Sequence, residues 1–317
     1  MRDRPDISLV VPVLNEVRII PELIHRSSAA LETVSPRWEM ILVDDGSTDG
    51  TLDAIKAARA QEHRLRYVSL SRNFGHQMAI TAGLDAARGG CVVIMDGDLQ
   101  DPPELIPALH AKHKEGFDVV LARRRRRKDE LFWKRWAAAL FYRLLRSITR
   151  IDIPLDTGDF RLISRKVLLR LGEMRERDRF LRGQIAWLGF KAASVQYDRH
   201  GRAAGARKYT LRKLAGLALA GVVSFSSVPL RLATLFGFLV SLVAFGIILY
   251  ALWSKYTQGD LISGWTSMIV SAMFIGGVQL ICLGIIGEYV NRISLEVRRR
   301  PLYVVEERSE GRQDGMP

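Results

Sequence analysis

Two uncharged apolar runs, Leu232 to Trp253 and Ile262 to Ile286, constrain this chain more than any other feature. Each exceeds the ~20 apolar residues needed to cross a hydrocarbon core, so both read as membrane-spanning helices. A helical hairpin buried in a soluble core would instead keep a polar stripe along each helix. The connector, Ser254 to Leu261, is short and closes the two into a hairpin. Arg231 precedes the first run and Arg292, Arg298, Arg299 and Arg300 follow the second, while the connector offers only Lys255 against Asp260. That asymmetry puts both termini on the cytosolic side of a multi-pass protein of the cytoplasmic (inner) membrane. Gly276 and Gly277 would permit close helix approach, which leaves a homo-oligomer open.

Ahead of the hairpin, the first two thirds of the 317 residues holds most of the acidic side chains and turn signals, enough chain for one sizeable domain. The formal net charge of +13 suits nucleic acid, an anionic membrane surface or a phosphorylated substrate, and does not choose among them. Cys91 and Cys282 stand in apolar runs with no second cysteine or clustered histidine, so they read as packing residues and the head as cytosolic. The apolar stretch Ile7 to Leu14 is too short for a cleavable signal, holds Pro12 and runs straight into Asn15 and Glu16.

In the head, short β-type runs alternate with helical patterns. Ile7 to Val13, Met40 to Val43, Leu65 to Leu70, Cys91 to Met95 and Asp118 to Leu121 are predicted strands. Val17 to Thr33, Leu52 to Gln61, Gln77 to Ala87 and Leu105 to Lys114 have helical spacing. The alternation predicts an α/β domain, a mainly parallel sheet covered by helices. No G-x-G-x-x-G follows the first strand and no G-x-x-x-x-G-K-[ST] occurs, which removes the main support for dinucleotide and P-loop readings.

Ligands of open α/β sheets gather beyond the carboxyl ends of the strands, and here those ends are acidic. The first strand runs into Pro12, Asn15 and Glu16, the second into Asp44 and Asp45, and the fourth into Asp96, Gly97, Asp98 and Gln100. Asp96 and Asp98, separated by one small residue on a turn, can face one hard cation, with Gln100 as a neutral oxygen ligand. Mg²⁺ or Mn²⁺ held there would neutralise a departing diphosphate. Ser47, Thr48 and Asp49 can cap the next helix. Capping does not account for Asp44 and Asp45, which can accept hydrogen bonds from a base or a ribose of a nucleotide.

The segments V-P-V-L-N-E, V-D-D-G-S-T-D-G-T, S-R-N-F-G-H-Q from Ser71, M-D-G-D-L-Q-D-P-P-E and D-T-G-D-F-R-L-I-S-R closely resemble family 2 glycosyltransferases. Within that family the chain resembles the polyprenyl-phosphate glycosyltransferases, which include dolichol-phosphate mannose synthase and undecaprenyl-phosphate glucosyltransferases. The likeness runs from about Ile7 to R-R-P-L-Y-V-V beyond the hairpin. It implies a GT-A fold and inverting transfer of a single sugar from a nucleotide diphosphate sugar, expected to be UDP-linked, to a polyprenyl phosphate, expected to be undecaprenyl phosphate. It also implies Asp96, Asp98 and Gln100 at the metal, and Pro12, Glu16, Asp44 and Asp45 around the nucleotide. Asp159 and Arg161 match the segment near the reacting centre, and Arg199, Arg202 and Lys208 match basic residues that grip phosphate. Gly205-Ala206-Arg207 departs from the family's Gly-Glu-Ser before the Lys-Tyr pair. The Q-x-x-R-W of processive synthases is missing, in keeping with transfer of one sugar.

Asp159 can orient the acceptor or the sugar, act as a base, or simply pair with Arg161. Arg123, nearest the strand end in a run of basic residues, is the candidate for a contact to the donor diphosphate. The expected organisation is a catalytic head over 1–210 that includes an amphipathic interfacial helix at 131–149, where Trp133 and Trp136 share a stripe, then a juxtamembrane helix at 211–227, the two membrane helices within 228–290 and a cytosolic tail at 291–317. Nucleic-acid binding explains the charge but leaves the acidic strand ends and the hairpin without purpose. A tethered nucleotide-sugar-binding scaffold without catalysis is the remaining alternative.

Overall fold

The computed structural model describes residues 4–124, 157–177, 179–197, 228–258 and 264–309. The candidate interfacial helix at 131–149 and the juxtamembrane helix at 211–227 lie outside them. The strands of the head are β1 (Ile7–Val13), β2 (Trp38–Asp44), β3 (Leu65–Leu70), β4 (Cys91–Ile94), β5 (Val119–Arg124), β6 (Thr157–Ser164), β7 (Ala192–Tyr197) and β8 (Val305–Arg308). They form one sheet in the order β7-β5-β6-β4-β1-β2-β3-β8. β1 lies between β2 and β4, parallel to both, and is buried along its whole length, as a central parallel strand covered on both faces requires.

Helices cover both faces. α1 (Ile20–Glu32), α2 (Thr51–Gln61) and α4 (Ile106–Lys114) pack with Leu9, Val11, Leu42 and Phe160 into one core. α3 (His76–Ala86), α5 (Arg165–Glu173) and α6 (Leu181–Trp187) pack with Val10, Val43, Ile94 and Ile163 into the other. Adjacent residues of β1 thus supply opposite cores, the period-two rule of a strand. α1 begins at a Pro-containing turn and buries Ile20, Leu23, Ser27, Ala30 and Leu31, the spacing of one helical face. α3 lies so close to the sheet that a Cβ on Gly83 would sit 2.3 Å from Val10 Cγ1.

Among the described strands the sheet is mainly parallel, as the sequence spacing predicts, with four of its seven pairings parallel and antiparallel pairings at β6 and β8. β6 inserts antiparallel between β4 and β5, and β8 pairs antiparallel with β3. The strands β6, β7 and β8 and the helices α5 and α6 carry no alternating signal as plain as the first four βα repeats. β8 belongs to residues read above as a tail: Ser71 N–H donates to Val304 O, and Ser309 N–H to Tyr67 O.

The second compact unit holds α7 (Val228–Gln258) and α8 (Trp265–Val297), which touch one another. Among the described residues one helical stretch, Ser271–Val297, is long and apolar enough to cross a membrane, and a shorter apolar stretch runs over Gly237–Ile247 of α7. α8 continues past Ile286 to Val297.

Candidate active site

The loops after β1 and β2 brace one another. Asn15 and Glu16 donate backbone N–H groups to Ser47 Oγ (2.9 Å) and Thr51 Oγ1 (2.9 Å), and Thr48 N–H returns a bond to Asn15 Oδ1 (2.9 Å). Pro12 is buried in β1 opposite Val43. The carboxylates at the end of β2 are buried and engaged by the protein itself. Asp44 accepts from Ser47 N–H (3.2 Å) and Ser69 Oγ–H (3.3 Å). Asp45 accepts from the N–H groups of Phe74 (2.7 Å) and Gly75 (3.0 Å), so it grips the chain just where α3 begins. Gly46, at φ +76°, permits the turn, and a Cβ there would lie 2.6 Å from the backbone of Arg72.

Beyond β4 the chain turns at Asp96-Gly97-Asp98. A Cβ on Gly97 would stand 2.8 Å from Val13 Cγ1 and 3.0 Å from Pro12 O, so only glycine lets this turn lie against β1. The two aspartates serve different neighbours. Asp98 accepts from Gln100 N–H (3.1 Å) and faces Glu16, whose carboxyl is pushed up by burial and then by the charges of Asp98 and Asp49. Asp101, fully buried, accepts the hydroxyl of Tyr197 at the end of β7.

Asp96 faces β6. The antiparallel register pairs Ile94 with Arg161, and continuing it two residues sets Asp96 against Asp159. His76, first residue of α3, stands at the same place: its Nε2 lies 3.2 Å from Asp159 Oδ2 and 3.3 Å from Asp96 Oδ1. Arg182 of α6 donates Nε–H to the other oxygen of Asp159 at 2.7 Å. Arg161 is buried, donates to the carbonyls of Gly158 (2.8 Å) and Asp159 (3.3 Å), and lies 3.8 Å from the Asp159 carboxylate.

Charge shapes each of these groups. Burial opposes ionisation of Asp159, but the hydrogen bonds from His76 and Arg182 overcome it and hold the carboxyl far below its usual range. Burial likewise opposes the imidazolium of His76, and the carboxylates of Asp159 and Asp96 overcome it, raising its pKa to about 9. Burial pulls Arg161 down to about 10, still protonated at neutral pH.

Asp96 offers a donor to a divalent cation, and it is the one residue shared by the expected set of Asp96, Asp98 and Gln100 and the cluster of His76, Asp96 and Asp159 that the fold brings together. Asp96 Oδ1 is buried and accepts no hydrogen bond of good geometry, and donor atoms of His76, Asp96 and Asp159 lie within 4.8 Å of one another. The imidazolium and a metal would compete for that position, because a ligating histidine must be neutral.

Of the residues singled out in the sequence, the fold gathers Pro12, Glu16, Asp44, Asp45, Asp96, Asp98, Gln100, Asp159 and Arg161 at the carboxyl ends of β1, β2 and β4 and the facing strand β6. Arg123 sits in β5 opposite Thr157, beyond a register slip after Leu121. Arg199, Arg202 and Lys208 lie outside the described residues. Sequence reasoning missed His76 and Arg182. His76 follows the one early strand whose end has no acidic residue, so a search for carboxylates passed over it. Nothing local marks Arg182.

Residues 8–172 match Glycosyl transferase family 2, and residues 228–293 match the GtrB C-terminal hairpin. Similar proteins include the uncharacterized glycosyltransferase YkcC of Bacillus subtilis (strain 168), 44% identical over 94% of this chain and 93% of that protein. Others are the uncharacterized glycosyltransferase sll0501 of Synechocystis sp., 41% identical over 95% and 94%, and the bactoprenol glucosyl transferase of Shigella phage SfX, 40% identical over 95% and 99%. The chain belongs to glycosyl transferase family 2. It is a glycosyltransferase whose α/β catalytic domain precedes a hairpin segment of the GtrB type.

Proposed function

We propose that this enzyme transfers one sugar, with inversion, from a UDP-linked donor to undecaprenyl phosphate at the cytosolic face of the inner membrane. The observation that carries the reading is the convergence of Asp96, His76, Asp159, Arg161 and Arg182 at the carboxyl edge of the sheet, in a chain that also has the hairpin segment. The phage relative is a bactoprenol glucosyl transferase, which makes glucose the first sugar to test.

In the proposed reaction an oxygen of the acceptor phosphate bonds to the anomeric carbon as the bond from that carbon to the diphosphate oxygen breaks. A phosphate monoester is largely a dianion at neutral pH and needs little help from a base. The depressed pKa of Asp159 supports the same division of labour, since so weak a base is better suited to orienting substrate than to taking a proton. Asp96, Asp98 and Gln100 are the residues assigned to Mg²⁺ or Mn²⁺, which when bound supplies positive charge to the leaving diphosphate. Glu16, Asp44 and Asp45, with Pro12, shape the nucleotide end, Asp45 by fixing the Phe74–Gly75 backbone. Arg123 is assigned to the donor diphosphate and Arg199, Arg202 and Lys208 to the acceptor phosphate, where fixed cations hold an anion in line. α7 and α8 are assigned as two membrane spans with both termini cytosolic.

The test is incubation of the purified full chain, in lipid nanodiscs, with undecaprenyl phosphate, Mg²⁺ or Mn²⁺ and a panel of UDP- and GDP-sugars, followed by mass analysis of the lipid. One added hexose, lost in excess chelator, is expected. Donor binding without any lipid mass shift would establish the non-catalytic scaffold instead.

A further inference from the structure

We propose that Tyr197 is a positioning residue for sugar transfer: its hydroxyl pins the far end of the Asp96–Asp101 turn to the end of β7, just ahead of the chain that carries the basic residues assigned to the acceptor phosphate. The role in transfer rests on the functional reading above, whereas the pin itself stands on the fold. Tyr197 is 6% exposed and Asp101 fully buried, and the tyrosine hydroxyl donates to Asp101 Oδ1. Asp101 is not among the groups assigned to the cation, so the pin and a bound metal do not compete.

Strand order makes this bond a long reach. β6 and β5 lie between β4 and β7. With neighbouring strands ~4.8 Å apart, the turn after β4 crosses roughly 14 Å of sheet to meet Tyr197. Along the way it passes through Leu99 at φ +51°, a left-handed conformation that a side chain as large as leucine adopts only where its surroundings hold it. Gly97 holds the near side of that residue against Val13 and Pro12, and Asp101 holds the far side. The ring of Tyr197 does a second task. It stands edge-on to Phe160, with centroids 6.3 Å apart and planes at 79°. Phe160 lies in β6 between Asp159 and Arg161 and, by strand alternation, faces the opposite side of the sheet. One side chain thus braces both the turn that carries Asp96 and Asp98 and the strand that carries Asp159 and Arg161. Tyr197 also closes β7 in register with Arg124, the neighbour of Arg123 on β5, and Arg199 follows two residues later. Loss of the hydroxyl would leave the ring on Phe160 but let the strained turn shift against β6.

The experiment compares wild type, Tyr197→Phe, Asp101→Ala and the double variant as full chains in nanodiscs. Phenylalanine keeps the ring on Phe160 and removes only the donor. UDP affinity in Mn²⁺, read by calorimetry without acceptor, should fall about tenfold in Tyr197→Phe at the stoichiometry of wild type, the lower end of the range for losing a hydrogen bond to a charged group. The double variant should bind UDP no more weakly than Asp101→Ala, because both substitutions break one bond. Turnover with undecaprenyl phosphate should fall about tenfold or more in Tyr197→Phe even at saturating donor and Mn²⁺, since the turn is then filled but displaced from β6. A loss of UDP affinity below about threefold, single losses that add in the double variant, or unchanged turnover would each overturn the proposal. Reduced stoichiometry at unchanged affinity would also overturn it and leave Tyr197 a core residue. If Asp101→Ala does not fold, affinity and stoichiometry in Tyr197→Phe decide by themselves. Should wild type bind no UDP or transfer no sugar, the functional reading fails, and urea unfolding still decides the pin: the effects of Tyr197→Phe and Asp101→Ala on stability should be non-additive. Strict additivity would refute it.

Discussion

Asp159→Asn should destabilise the catalytic domain, and the structure sets the size of the effect. The side chain is 9% exposed and faces Arg182 at 2.7 Å, His76 at 3.2 Å and Arg161 at 3.8 Å. Arg161 decides the outcome because its side chain is 4% exposed and cannot turn to water once its counter-charge is gone. At an effective dielectric of about 20, unit charges at that separation interact by ~4 kcal/mol. Breaking a buried pair by removing one partner typically costs ~3 to 5 kcal/mol, since the other charge stays behind. Arg182 and His76 are 37% and 45% exposed, so solvent screening limits each to ~1 kcal/mol or less. The carbonyls of Gly158 and Asp159 still receive the Arg161 guanidinium, which trims the total to ~3 kcal/mol. The assay is urea titration of the full chain in detergent, following the transition of the sheet domain by circular dichroism. A depressed carboxyl contributes stability that is present above its unfolded pKa of 3.8 and lost on acidification through its folded value, so the variant should also flatten the acid limb of stability against pH. Adding Arg161→Met to Asp159→Asn should recover much of the loss by removing the stranded charge. A single variant that unfolds within ~0.5 kcal/mol of wild type, or a double variant no better than the single, would refute the reasoning.

Gly97→Ala should cost ~1 to 3 kcal/mol by overpacking, because the new Cβ meets Val13 Cγ1 at 2.8 Å, and calorimetry should show weaker donor binding as the Asp96–Asp98 turn is displaced. Ending the chain at Arg299 removes β8 and with it the Glu307 contacts to Lys56 (2.6 Å) and Tyr67 (2.7 Å), leaving β3 as a bare edge. Aggregation on size-exclusion chromatography is the expected result, and a monodisperse truncated protein would show that β8 does not protect that edge. Cys91 is buried and its thiol is pushed up to about 12 by burial, so iodoacetamide at mildly alkaline pH should leave it unmodified in the native protein and label it in denaturant, as read by peptide mass mapping.

The sequence by itself determined the features that repeat along the chain. The first four βα repeats were legible because a buried strand and an amphipathic helix each print their period on a few consecutive residues. The acidic strand ends were legible for the same reason, since Asp44, Asp45, Asp96 and Asp98 directly follow or close apolar runs. The length and lack of charge of the two apolar runs needed no folding to be read. Only the tertiary structure decided what those side chains meet. Asp44 and Asp45 hold the protein's own backbone and hydroxyl donors, a fact that depends on the loop after β3 returning beside β2. Val305–Arg308 became the sheet's edge because β3 offers unpaired backbone groups there, and four residues are too few to show a period. The centre of the site was decided by strand order: β6 enters antiparallel beside β4, which brings Asp159 to Asp96, and His76 and Arg182 reach it across 83 and 23 residues of sequence. Periodicity records which face of an element is apolar, whereas the meeting of distant charged groups depends on the register and packing of elements that no local window contains.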